Sequence, residues 1–104
     1  MSSTSNFNSS LNDANYLVNI EKIVISSMLY NYDEVENVLE IIKHHMFYLP
    51  IHIEIVRVIE VLYNQELPID ESFIISRCQE KYRKSVEQSI LEILTANPIT
   101  NTEA

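Results

Sequence analysis

The 104-residue chain has no glycine, no tryptophan, one cysteine and three prolines. Without glycine, the phosphate-cradling loops of P-loop and dinucleotide-binding proteins are excluded. They need a residue that takes positive φ or lets the backbone approach a phosphate closely. Two-residue hairpins lose their best turn residue for the same reason. The lone Cys78 cannot form an intrachain disulfide, and no Cys-x-x-Cys pair exists for zinc or redox work, which fits a reducing compartment. Basic residues are scarce as well: 7 Lys+Arg against 15 Asp+Glu leave a formal net charge of −8. That surplus disfavours nonspecific binding to DNA or to an anionic membrane. No basic start followed by an apolar stretch opens the chain, and no apolar run reaches the ~18 residues that span a bilayer. The expectation is a cytoplasmic protein without membrane contact.

What is present suffices for one domain. Apolar residues make up 46% of the chain, and a domain of this size buries roughly two-thirds of its unfolded surface. Residues 1–16 are rich in Ser and Asn without apolar periodicity and read as a flexible tail, leaving 17–104 as the folded domain. Ile20, Ile23, Val24 and Met28 then recur at helical spacing, with Ser27 on the same stripe and Asn19 as a cap. Val35, Val38, Leu39, Ile42 and Met46 form a second stripe, headed by Asp33 and Glu36 in capping-box spacing. Between Pro50 and Asn64, Ile51, Ile53 and Ile55 alternate with His52 and Glu54 as in a strand, but Val56, Val58, Ile59, Val61 and Leu62 break the alternation. Glu54, Arg57, Glu60 and Asn64 recur every three or four positions as a thin polar stripe, and Pro50 suits a first helical turn. A central, largely buried helix is the expectation.

Pro68 stops that helix, and Asp70 caps a fourth one reaching about Tyr82, with Ile74, Ile75, Cys78 and Tyr82 inward. Ser85 with Gln88 opens a fifth, carrying Val86, Ile90, Leu91 and Leu94 inward and ending at Asn97-Pro98. The fold class is therefore expected to be all-α, a compact irregular bundle of five to six short helices in a single domain.

Candidate chemistry is thin. His44, His45 and His52 are the only histidines, and no His-Glu-x-x-His motif joins them. His52-Ile53-Glu54 imitates the start of a deaminase motif but lacks the Pro-Cys-x-x-Cys partner. His44 and His45 are better read as imidazoles near a helix C-terminus, where positive charge suits the dipole. Cys78 falls on an inner stripe, where a free thiol behaves as a small hydrophobe. Asp33, Glu34, Glu36 and Glu40 crowd the first turns of one helix, where acids are expected without any catalytic reason. Arg77, Lys81 and Lys84 are spaced to share one helical face, with Arg83 beside them, and form the one basic cluster on an acidic chain. Most such runs are solvated surface; the functional alternative is an electrostatically matched protein partner. No catalytic residue, cofactor site or metal site is assigned.

The middle of the chain resembles a known family. Phe47-Tyr48-x-Pro50-x-His52, followed by Leu62-Tyr63-x-x-Glu66-x-Pro68-Ile69-Asp70, is similar to the N-terminal domain of bacterial replicative DNA helicases of the DnaB type. Glu21, leading into Val24 and Met28-Leu29, matches that family's first helix, and Asn97-Pro98-x-x-Asn101 matches the segment closing its globular head. The register runs from Ile20 to Ala104. Ser26 and Gln65 stand where the family often has glycine, Val56 replaces a usual Phe, and the stretch between Cys78 and Ser85 is shorter than typical.

The resemblance implies a helical collar domain of a ring-shaped hexamer that docks the helicase-binding domain of primase, with a helicase loader as a further partner. It also implies an ATP- and Mg-dependent motor on the C-terminal side, so that this chain reads as a non-catalytic fragment binding no DNA itself. Glu21, Phe47, Tyr48, Pro50, His52, Pro68 and Asp70 are the structural positions it points to: Phe47, Tyr48, Pro50 and His52 setting and packing the start of the central helix, Asp70 capping. Arg77, Lys81 and Lys84 remain the candidate partner surface. Two other readings stay open: an unrelated acidic helical adaptor, and a small enzyme using Cys78 or a histidine.

Overall fold

A computed structural model describes the backbone of residues 2–95 and the side chains of residues 13–95. Five α-helices follow one another, α1 (Ser2–Tyr30), α2 (Tyr32–Ile41), α3 (Pro50–Asn64), α4 (Glu71–Arg77) and α5 (Arg83–Thr95), with 3₁₀ turns at His44–Met46 and Glu80–Tyr82. No strand occurs among the described residues, which settles the alternation at Ile51–Ile55 in favour of helix.

Helix α3 is the hub, and His52, Glu54, Ile55, Val56, Val58, Ile59 and Leu62 are all buried on it. Around it lie Ile25 and Met28 of α1, Val35 and Leu39 of α2, Ile74 of α4, and Val86, Ile90 and Ile93 of α5. Each β-branched residue costs a helix up to roughly 0.7 kcal/mol in propensity. Full burial of the same side chain returns about 1.5–3 kcal/mol. Packing wins at every one of these positions.

The sequence-based boundaries shift in several places. Helix α1 begins at Ser2, so it runs through the Ser/Asn-rich stretch read as a tail, and Asn19 lies in its interior rather than at a cap. Once the packed half of a helix is nucleated, extending it N-terminally costs little per residue, even with indifferent side chains. At the start of α2 the cap is Asn31, not Asp33: Asn31 has extended backbone, and its side chain accepts the Asp33 N–H at 3.0 Å. Helix α2 ends at Ile41, so Met46 falls on the following 3₁₀ turn and is exposed. Helix α4 stops at Arg77 rather than Tyr82, which leaves Tyr82 outside it and exposed. Helix α5 begins at Arg83, so Ser85 is already inside it; Ile93 is buried and Leu91 is exposed. Asn97, Pro98 and Asn101 lie outside the described residues.

The largest correction concerns α1. Its buried positions are Glu21, Ile25, Ser26 and Met28, whereas Ile20 and Ile23, assigned to the core by periodicity, are exposed. Two of the buried residues are polar, and periodicity reads polar as outward.

The end of α3 shows how a chain without glycine makes a sharp turn. The Leu67 N–H donates to the Leu62 carbonyl at 2.9 Å and the Glu66 N–H to the Tyr63 carbonyl at 3.0 Å, a Schellman arrangement that puts Glu66 at φ 57°. Glycine would occupy that conformation without a Cβ clash. Glu66→Gly is therefore expected to raise stability by about 0.5–1 kcal/mol, after allowing for the freer unfolded chain. Urea denaturation checks this; an unchanged or lowered midpoint would show that the Glu66 backbone carries no cost.

Candidate partner surface and the carboxylates behind it

Three glutamates on the helices bind the connecting segments. Glu21, projecting from α1, accepts the backbone N–H of Tyr48, that of Leu49 at 3.2 Å, and Nδ1–H of His52 at 2.8 Å. Leu49 is the N-cap residue of α3 and offers no side-chain cap, while Pro50 follows in the first turn. A carboxylate brought from another helix thus does the work of a cap, and its negative charge sits at the positive end of the α3 dipole. His52 is fully buried; the bond to Glu21 assigns its proton to Nδ1, and Nε2 has no hydrogen-bond partner among the described residues. Phe47 is buried beside them, but the Tyr48 ring is exposed, so Tyr48 contributes its backbone N–H rather than packing. Glu21, Phe47 and His52 are buried near the start of α3, whereas Pro50, in its first turn, is exposed and sets the helix start without packing it.

Glu54 faces the opposite connection. It was grouped with the polar stripe of α3 but is buried, accepting from Arg57 through Nε at 3.0 Å and Nη2 at 2.8 Å, and from the Gln79 backbone N–H at 2.9 Å. The Arg57 hydrogen bonds hold its carboxyl below the usual carboxylate range; burial opposes them, and the Gln79 N–H adds to the lowering. Glu60 takes the third connection, accepting the His44 N–H at 2.9 Å and meeting its Nδ1 at 3.0 Å. His44 and His45 therefore sit on a 3₁₀ turn instead of the last turn of α2. Lys43 serves that helix end, donating its Nζ to the Leu39 carbonyl.

The basic residues do not share a helical face. Arg77 ends α4 and donates to Gln65 Oε1 at 3.0 Å; Lys81 lies on the 3₁₀ turn with Nζ 5.1 Å from the Tyr82 ring centroid; Lys84 lies in the first turn of α5. All three are exposed, but the break in the helix at Cys78 removes the spacing that had aligned them. Arg83 points inward, its Nε donating to the Ile75 carbonyl at 3.0 Å near the end of α4. Asp70 Oδ1 accepts the Phe73 N–H at 2.9 Å, and Pro68 is exposed in the connector before it.

Little chemistry is left free. Cys78 is buried and its thiol donates to the Ile75 carbonyl, and no group of three or more metal-ligating side chains occurs among the described residues. Glu36 and Glu40 line a groove of about 280 Å³ between α2 and α3, together with Leu39, Lys43, Glu60, Tyr63 and Asn64. Tyr63 donates to Glu36 there at 3.2 Å. Asp33 and Glu34 stand outside it. No helix among the described residues is long and apolar enough to cross a membrane.

Sequence reasoning missed Glu54 and Glu60 as organising residues. Their spacing along α3 resembled a solvated stripe, and the loop amides they bind are 16 and 25 residues away.

Comparison with known proteins points to one family. The replicative DNA helicases DnaB of two Helicobacter pylori strains, 26695 and J99, are each 32% identical to the chain over 88 residues, covering 85% of it and 18% of their own length. The chain thus spans under a fifth of these relatives. No solved structure matches it significantly. A family profile described as the DnaB-like helicase N-terminal domain matches residues 13–104, and the chain belongs to that family.

Proposed function

We propose that the chain is the assembly and primase-docking domain of a hexameric, ATP-dependent replicative helicase acting in the cytoplasm, and that it is non-catalytic by itself. The observation that carries the reading is the family match over residues 13–104, in one register with the Glu21–Tyr48–His52 arrangement at the start of α3. The residue chemistry supports it. The described carboxylates with buried positions are spent on loop amides, the thiol is closed in, and a chain with no glycine has no phosphate-cradling loop for ATP and Mg. Nucleotide turnover therefore belongs to a motor outside these residues. The exposed Arg77, Lys81 and Lys84 remain the proposed docking contacts for primase or a loader, now from three successive elements rather than one helix face.

Titrating the isotopically labelled chain with the helicase-binding domain of primase tests this. Saturable amide shifts confined to one surface are expected, with no ATP hydrolysis by the chain alone. Absence of shifts at several hundred micromolar (about 10 times a typical weak Kd), together with capture of a different partner, would favour the acidic-adaptor reading instead.

A further inference from the structure

Arg83 is a cation fixed in place without a counter-ion. It is half-buried at the first position of α5, its Nε donating to the Ile75 carbonyl at 3.0 Å and its Nη2 to that of Cys78 at 3.4 Å. Those bonds use two of the five N–H groups of a guanidinium and leave three. No carboxylate pairs with it among the described residues, where the ion pairs join His44 to Glu60, His52 to Glu21 and Arg57 to Glu54. The side chain lines an open hollow of about 540 Å³ between α4 and α5, whose other walls are Ser72, Ile75 and Ser76. Ser72 and Ser76 are about one helical turn apart, and Ser76 Oγ already donates to the Phe73 carbonyl at 3.0 Å. On a chain with 15 acids and 7 bases, a hollow with no acidic residue in its walls stands apart.

A guanidinium tied at two points has already lost the rotamer freedom that a surface arginine gives up on binding, and its planar fork matches a carboxylate. The neighbourhood adds to the attraction. Four of the seven basic residues, Arg77, Lys81, Arg83 and Lys84, lie within 77–84, where Glu80 is the one acid. An acidic surface is repelled by the rest of the chain and drawn here. The width of the hollow decides between a free anion and one carried by a protein. A small anion in so open a site keeps its water and is screened by salt. A side chain presented by a protein surface also covers the apolar wall at Ile75. We propose that this hollow receives a glutamate or aspartate side chain from an acidic segment of a partner protein, with its carboxylate on Arg83 and the adjoining apolar atoms on Ile75. The proposal deepens the docking reading above, on which it rests for the partner's identity, by naming the anchor and the chemistry that fills it.

Two peptides and one inorganic ion test it. The isotopically labelled chain is titrated with acetyl-Leu-Glu-Leu-Glu-Leu-amide, with its glutamine counterpart and with sodium phosphate, each to about 10 mM at constant ionic strength near neutral pH. The glutamate peptide should give saturable shifts at the Arg83 Nε–H and at the amides of α4. The glutamine peptide should bind at least about 3-fold more weakly, and phosphate should not saturate. Ser72→Glu places a carboxylate of the chain's own in the hollow and should abolish the shifts, with unchanged circular dichroism because Ser72 is exposed. Arg83→Gln keeps a donor for the end of α4 but removes the charge, and should abolish them too. No saturable response to the glutamate peptide overturns the proposal. Equal binding of the glutamine peptide also overturns it, since the charge would then be irrelevant, and so does saturation by phosphate, since a free anion would then suffice. A primase titration that fails while the glutamate peptide binds here overturns the docking reading and leaves the anchor standing; primase binding with the peptide silent does the reverse.

Discussion

Glu21→Ala is expected to lower the stability of the domain by about 3–5 kcal/mol, the cost of leaving buried polar groups stranded when their charged partner is removed. Three donors lose their acceptor at once: the amides of Tyr48 and Leu49 and the Nδ1–H of His52. The His52 ring is completely buried and has no second partner among the described residues. Domains of this size are stable by only about 5–15 kcal/mol in total. The loss should therefore appear as a fall in Tm of more than about 10 °C. Glu21→Gln should fall in between, since one carbonyl oxygen can still accept but the amide NH₂ faces a donor.

A double-mutant cycle separates the two duties of Glu21. His52→Leu should cost less in a Glu21→Leu background than in wild type, by about 1–3 kcal/mol, because the imidazole is then already stranded. The doubly substituted protein should still be destabilised, since the Tyr48 and Leu49 amides remain unanswered. If it matched wild type, Glu21 would be serving only the histidine and the start of α3 would need no acceptor.

The same residue shows where sequence reading succeeds and where it stops. Helix α3 was legible because Pro50 fixes its start and its polar positions recur at helical spacing. The Asp70 cap was legible because its partner, Phe73 N–H, lies three residues away. Helix α1 was legible as a helix but not as a face. Ile20 and Ile23 of its most regular apolar stripe point outward while Val24 packs against the core, and its inner side includes Glu21 and Ser26. Nothing local distinguishes a glutamate that will bind amides 27 and 28 residues on from one that will face water; only the family resemblance drew Glu21 out. The end of α4 was illegible for a related reason, since the Arg83 guanidinium reaches back 8 residues to the Ile75 carbonyl. Local caps are written in neighbouring residues. Remote caps are a property of the packed molecule.

Those remote carboxylates also account for how a chain without glycine folds its connections. Glycine normally relieves tight loops by taking positive φ. Here a single residue, Glu66, does so among the described residues. Three further connections are held by side chains from neighbouring helices: Glu60 at His44, Glu21 at Tyr48 and Leu49, Glu54 at Gln79. An acidic chain rich in loop-binding glutamates should then be sensitive to acid at defined joints.

Glu54 is the joint where that sensitivity should be clearest. Its carboxyl is held below its ordinary value by the Arg57 guanidinium first and the Gln79 N–H next, against the opposing effect of burial. A group whose folded pKa is depressed stabilises the fold above its unfolded value of about 4.3, and that stabilisation drains away as pH falls through the lower folded value. Glu54→Gln should therefore cost about 2–4 kcal/mol at pH 7, where a buried charged partner of Arg57 and of a loop amide is lost. The gap between wild type and Glu54→Gln should hold constant from pH 7 to about 5 and narrow below it, since the wild-type residue itself becomes protonated there. Reading the difference between the two proteins cancels the other acids of the chain. Urea titrations from pH 7 to pH 3 measure it directly. A gap independent of pH across that range would mean that the Glu54 charge contributes nothing and that the α4–α5 connection is held by shape alone.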